Sequence, residues 1–236
     1  MRQYKFGQYG ALENLWVRFY NHPEGKWIMK IQEAMRLHET VKKYQPSQIL
    51  ELGTGIGCST AIMAAALENG RIMTVEQNPR LIEIAKEMIP FELKQHIQFE
   101  HSPVNVVRPL NMIDPFRGWS AYLNFPWVNW DFVVVDGPGP FMISVKGEQY
   151  CVDLPNGDII ILMARLQAGA KVYVDKRKET VNLYKRFLGW YLDLLEENEY
   201  YALFERTNEK LDKEDLSDFK NSDLLRGKLE KINYFR

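Results

Sequence analysis

Long apolar runs are missing from this chain of 236 residues. No stretch approaches the roughly 20 apolar residues of a membrane span, and the start, MRQYKFGQYGALEN, has no apolar signal-peptide core. Cysteine is scarce: Cys58 and Cys151 cannot build a metal cluster, and both are expected as free thiols in a reducing compartment. An excess of one charge is also lacking, and the net charge of −1 argues against a protein that coats nucleic acid by charge alone. No internal repeat or low-complexity segment is visible. These absences lead to the expectation of a soluble, cytoplasmic chain. What is present is ordinary for a globular protein, 46% hydrophobic and 26% charged, long enough for one sizeable α/β domain and short for two.

The organising stretch is QILELGTGIGCSTAIMAAALENGRIMTVE, Gln48 to Glu76. A short apolar strand (Ile49, Leu50, Leu52) leads into a turn with Gly53, Gly55 and Gly57. An alanine-rich helix follows (Ala61 to Leu67), then a second apolar strand (Ile72, Met73, Val75) ending in Glu76. This is a βαβ unit, the building block of a doubly wound sheet. Its glycines let the backbone turn sharply and approach a ligand, and the helix start points bare N–H groups at any negative end. An acid at the second strand's tip is placed to accept both hydroxyls of a ribose. The unit reads as a nucleoside-cofactor site.

Dinucleotide enzymes place glycines as G-x-G-x-x-G/A around a pyrophosphate. Here Cys58 stands where the third small residue belongs, and the spacing is G-x-G-x-G with Glu51 two residues ahead. That resembles motif I of the class I S-adenosylmethionine-dependent methyltransferases. The pattern is closest to small-molecule O-methyltransferases of the catechol type: their E-L-G-x-x-x-G-x-S is matched by Glu51-Leu52-Gly53, Gly57 and Ser59, and their E-x-N-P by Glu76-Gln77-Asn78-Pro79. The resemblance implies a Rossmann-like sheet of seven strands, mostly parallel, with an antiparallel C-terminal strand and helices on both faces. It implies S-adenosyl-L-methionine as cofactor. Glu51 and Ser59 would hold its methionine end; Gly53, Thr54, Gly55 and Gly57 would line it; Glu76, with Gln77 beside it, would hold the ribose. The adenine contacts would lie in His101-Ser102-Pro103-Val104-Asn105, with Ser102 and Asn105 as contacts.

In chain order, residues 1–25 are rich in aromatics (Tyr4, Phe6, Tyr9, Trp16, Phe19, Tyr20) and are either a lid over the site or plain core packing. Residues 26–236 are expected to form one domain. An amphipathic helix spans Trp27 to Tyr44, another starts at Pro79, and Gln95 to Glu100 is the third strand. Insertions lie near 108–130 and 141–156. The first contains Asn124-Phe125-Pro126-Trp127, which resembles the N/D-P-P-Y/F motif of base methyltransferases but precedes the fourth strand, Asp131 to Val135, and so is read as a packed aromatic loop. The second has strand-like ends around Lys146-Gly147, the mark of a hairpin or flap. A helix over Asp158 to Leu166, a fifth strand over Lys171 to Asp175, a helix over Glu179 to Leu195 and a sixth strand over Tyr200 to Thr207 follow. Gly227 to Tyr234 resembles the seventh strand.

Ligands lie beyond the carboxyl ends of the strands in such sheets, which puts Asp136 at the chemistry. Metal-dependent catechol-type enzymes bind magnesium through an Asp after the fourth strand and an Asp-Asn pair after the fifth. Asp136 and Asp175 match the acids, but Lys176 replaces the Asn, and Gly139 stands where those enzymes carry a lysine base. Both departures weigh against magnesium. Lys176, Arg177 and Lys178 form a basic cluster that suits an anionic acceptor or simply caps the next helix. The expected reaction is in-line methyl transfer to a small molecule, at a hydroxyl oxygen, with His101, Asp136, Lys146 and Lys176 as candidate bases. Rival readings are an RNA or nucleotide methyltransferase, an NAD-dependent oxidoreductase, and a binding module without catalysis. The oligomeric state is left open, a homodimer included.

Overall fold

The computed structural model describes residues 10–107, 118–124, 126, 128–145 and 147–207. It opens with α1 (Gly10–Tyr20), a 3-10 turn (Gly25–Trp27) and α2 (Ile31–Tyr44). The unit β1 (Gln48–Leu52), α3 (Cys58–Ala66) and β2 (Arg71–Glu76) follows, then α4 (Pro79–Met88), a 3-10 stretch (Phe91–His96) and β3 (Ile97–His101). Next come β4 (Val104–Val107), β5 (Trp119–Tyr122), β6 (Trp130–Val135), β7 (Phe141–Val145) and β8 (Glu148–Val152). The described part closes with α5 (Asp158–Leu162), β9 (Leu166–Asp175), α6 (Lys178–Leu188), β10 (Leu192–Glu197) and β11 (Tyr201–Arg206).

Seven strands make one sheet in the order β10-β11-β9-β6-β1-β2-β3. β11 runs antiparallel to both of its neighbours, and the other pairings are parallel. This is the expected doubly wound α/β fold. The period-2 alternation of each strand sorts side chains to two faces. Ile49, Ile72, Phe132, Val134 and Tyr173 pack with α1 to α4, while Leu50, Val75, Val133, Val135 and Val174 pack with α5, α6 and β5. Both insertions carry strands of their own: β4 pairs with β5, and β7 with β8 as a hairpin.

Several expectations need correction. The apolar spacing Val181, Tyr184, Leu188, Tyr191, Leu195 predicts one helix, yet α6 stops at Leu188 and β10 starts at Leu192. Leu192 satisfies either period, and its pairing with Arg206 on β11 decides for a strand. Tyr201–Arg206 is therefore not a parallel sixth strand but the antiparallel one, placed between β9 and β10. The strand expected at Gly227–Tyr234 lies outside the described residues. β9 begins five residues early, at Leu166. Gly169 does not end a helix but sits inside this strand at φ +78°, near a register shift between Trp130 and Phe132 on β6. Residues Gly10–Tyr20 are helical, with Leu12 and Phe19 buried, and α2 begins at Ile31 rather than Trp27. Tyr4, Phe6, Tyr9, Phe125, Trp127 and Lys146 lie outside the described residues.

Register positions the site. Leu52 is level with Val75 and Val135, and Val135 with Val174. One residue further on, Gly53, Glu76, Asp136 and Asp175 form a row across the carboxyl ends of four parallel strands. Behind it, Asn156 is fully buried: its Nδ2 donates to Gly137 O (3.0 Å) and Asp158 Oδ2 (2.7 Å), and its Oδ1 accepts from Asp158 N and the Tyr184 hydroxyl (both 2.9 Å). Asn156→Ala orphans several buried groups at once and is expected to cost about 3 kcal/mol in urea unfolding; a loss below about 1 kcal/mol would mean that this hub does not hold the turn after β6.

Candidate active site

β1 leaves the sheet at Gly53, where φ is +105° and a Cβ would lie 2.7 Å from the Gly137 Cα. Side chains are excluded there because the ends of β1 and β6 touch backbone to backbone. The Gly53 and Thr54 N–H groups both donate to Val75 O (2.9 and 3.2 Å). The Glu76 carboxylate closes the turn: Oε2 accepts from Gly55 N (2.9 Å) and Oε1 from Asn78 N (3.0 Å). Burial raises this carboxyl, and the backbone N–H groups pull it back. A Cβ on Gly55 would meet nothing, so the space above the turn is open. A cavity of about 620 Å³ starts there, a size usual for small-molecule sites. Its wall includes Thr54, Ser59, Glu76 and Gln77 from the glycine turn and β2, Asp136, Asp175, Lys176 and Arg177 from the tips of β6 and β9, and Trp27 to Met29.

Asp136 and Asp175 stand side by side at the tips of β6 and β9, and both carboxyls are raised, first by burial. Their mutual repulsion and Glu33 raise Asp175 further, while Arg177 works against the rise at Asp136. The Lys176 ammonium lies 3.2 and 3.3 Å from the carboxylate oxygens of Glu33, a fully buried residue of α2 that also caps the helix by accepting from Lys30 N at 2.7 Å. The Arg177 guanidinium donates to Asp136 O (2.7 Å) and Pro138 O (2.9 Å), clamping the turn after β6.

Of the residues singled out from sequence, Gly53, Thr54, Gly55, Ser59, Glu76, Gln77, Asp136, Asp175 and Lys176 are brought together in the cavity wall. Glu51 stands behind it, fully buried, its Oε2 accepting from the Thr60 and Thr74 hydroxyls (both 2.5 Å) and its carboxyl raised by burial to about 7. Gly57 is the N-cap of α3. His101 is exposed, with Nε2 3.1 Å from Gln77 O; Ser102 Oγ accepts from Asn124 N; Asn105 Oδ1 accepts from Val106 N. These last three residues are outside the lining. Of the basic cluster, Lys176 and Arg177 line the cavity, Arg177 while also donating to two carbonyls, and Lys178 is outside the lining. Sequence reasoning missed Glu33 and Tyr122. An acid two residues from Ile31 and Met35 on the α2 helix, and the short segment Trp119-Ser120-Ala121-Tyr122 with an aromatic at each end, were the available signals.

Comparison with known proteins adds a family. Residues 8–135, more than half of the chain, match the sequence model of a family described as O-methyltransferase. The mouse (Mus musculus) catechol O-methyltransferase is 35% identical over 71 residues, 29% of this chain and 27% of that protein. The human (Homo sapiens) transmembrane O-methyltransferase is 44% identical over 62 residues, 26% of this chain and 20% of that protein. The chain thus spans about a quarter of the curated relatives' length. Among solved structures, the O-methyltransferase TomG from Streptomyces achromogenes, in complex with SAM, superposes with a TM-score of 0.51 at 19% identity, over 84% of this chain and 90% of that one. SAH-bound PaMTH1 from Podospora anserina gives 0.53 at 15%, over 84% and 88%. At these identities the superpositions show the fold. Among the described residues no helix is long and apolar enough to cross a membrane.

Magnesium is tested by the donor set. A hard cation needs several oxygen ligands. Here the residue that would complete the set is the Lys176 ammonium, held against Glu33, and the Arg177 guanidinium lies against the Asp136 turn. The chain's own cations thus occupy the place beside the acids. The residues present do not fit a divalent cation. Millimolar magnesium is expected to leave the thermal unfolding midpoint unchanged; a saturable rise would show that the carboxyl pair binds the metal.

Proposed function

The chain belongs to the O-methyltransferase family, and on that premise we propose that it moves the methyl group of S-adenosylmethionine to a hydroxyl oxygen of a small-molecule acceptor. The observation that carries the reading is the glycine turn clamped by Glu76, opening onto a cavity that ends at Asp136 and Lys176. The turn fits a nucleoside: Gly55 has open space above it, and Glu76 points a buried carboxylate into the wall. When bound, the cofactor supplies an activated methyl group on a sulfonium. Thr54, Gly55 and Ser59 are assigned to its amino-acid end and Glu76 to the ribose.

The protein's own work is alignment and proton removal. In-line transfer needs the acceptor oxygen within about 3–3.5 Å of the methyl carbon, away from water. The oxygen–carbon bond forms as the sulfur–carbon bond breaks, and the hydroxyl proton leaves to a base. We assign that base to Asp136. It lines the cavity at the tip of β6, and burial beside Asp175 raises its carboxyl toward the working range of a general base. Lys176, tethered by Glu33, presents a fixed positive charge for the acceptor oxygen. Trp27 to Met29 and the β7–β8 hairpin beyond Pro140 are assigned as walls around the acceptor.

Glu76→Ala is expected to weaken S-adenosylmethionine binding by about 1–3 kcal/mol in calorimetry; unchanged affinity would refute the ribose assignment. Asp136→Asn is expected to lower turnover of labelled cofactor against a panel of hydroxyl acceptors by about 10²–10⁴-fold. The base must be unprotonated, so wild-type turnover should fall as pH drops through a midpoint above the ordinary Asp value of about 3.9. Full activity in the Asn variant would remove Asp136 from the mechanism.

A further inference from the structure

Tyr122 ends the short strand β5, just ahead of the Asn124–Trp127 segment that sequence reasoning takes for a packed aromatic loop. Its ring is buried and its backbone N–H donates to Asp158 Oδ1 at 3.0 Å, so the side chain is fixed from behind. The hydroxyl nevertheless has no hydrogen-bond partner and is sealed from solvent. Buried polar groups are almost always paired, and an unpaired one in a well-packed protein calls for an explanation. This one lies in the cavity wall, at the place where β1 and β6 meet: a Cβ on Gly137 would lie 2.7 Å both from Tyr122 Oη and from the Gly53 Cα.

We infer that the Tyr122 hydroxyl donates a hydrogen bond to the nucleoside half of the bound cofactor. The inference rests on the cofactor reading above. Position favours the nucleoside over the methyl acceptor. The hydroxyl lies against the Gly53–Gly137 contact, at the foot of the turn that Glu76 closes through Gly55 N. Glu76, the acid assigned to the ribose, is the charged group that acts most strongly on this phenol, ahead of Asp158, Arg177 and Asp136. A phenol donor and a carboxylate acceptor then face the same sugar. The ligand thereby pairs a hydroxyl that the protein alone leaves unpaired.

Tyr122→Phe removes only the oxygen. Calorimetry with S-adenosylhomocysteine and with 5′-methylthioadenosine, which lacks the amino-acid end, is expected to show both ligands weakened about five- to tenfold. The unliganded thermal midpoint should hold or rise, because deleting an orphaned buried hydroxyl relieves a desolvation cost. Equal affinity of wild type and variant would overturn the inference. So would a loss confined to S-adenosylhomocysteine, which would move the contact to the amino-acid end. A lower unliganded midpoint would show that the hydroxyl has a partner inside the protein and would also overturn it. Failure of the wild-type protein to bind either ligand is a separate result, and it would sink the cofactor reading itself.

Discussion

Two strand ends that touch without side chains set the geometry of this molecule. At Gly53 and Gly137 the backbones of β1 and β6 come so close that a Cβ on either would overlap the other. The cavity, the open turn above Gly55 and the burial of the Tyr122 hydroxyl all follow from that contact. The surrounding structure maintains it by polar means. Arg177 grips the carbonyls of Asp136 and Pro138 from one side, and Asn156 holds the Gly137 carbonyl from the other. Glu76 ties the glycine turn to the tip of β2.

The same row concentrates negative charge, and the fold answers it with its own cations. Glu76 is compensated by backbone N–H groups, Asp136 and Asp175 by the nearby charges of Arg177 and Lys176, and Glu33 by Lys176. A buried carboxylate left without such partners would be costly. That compensation places cations of the chain itself beside the acids at the strand tips, where a divalent ion would otherwise have to sit.

Local pattern was a good guide wherever burial and periodicity agree. The strands ending in Gly53, Glu76 and Asp136 each read as an apolar run stopped by a glycine or an acid, and each is found where it was expected. The guide failed where two periods fit one run. Leu192 suits a helix continuing from α6 or a new strand, and only the partner offered by β11 settles which. It was silent at Trp119–Tyr122, where four residues are too few for a period to show and the strand is defined by its pairing with β4.

By itself the sequence determined the class of fold, the family and the presence of a nucleoside-type turn, because glycine, acid and apolar spacing are properties of consecutive residues. Only the tertiary structure decided the strand order at the β9 edge, the pairing of Lys176 with a glutamate 143 residues away, and the arrival of Tyr122 in the cavity wall. Those depend on register between strands and on which helix covers which face. Such contacts join residues far apart in the chain, and no spacing within one segment encodes them.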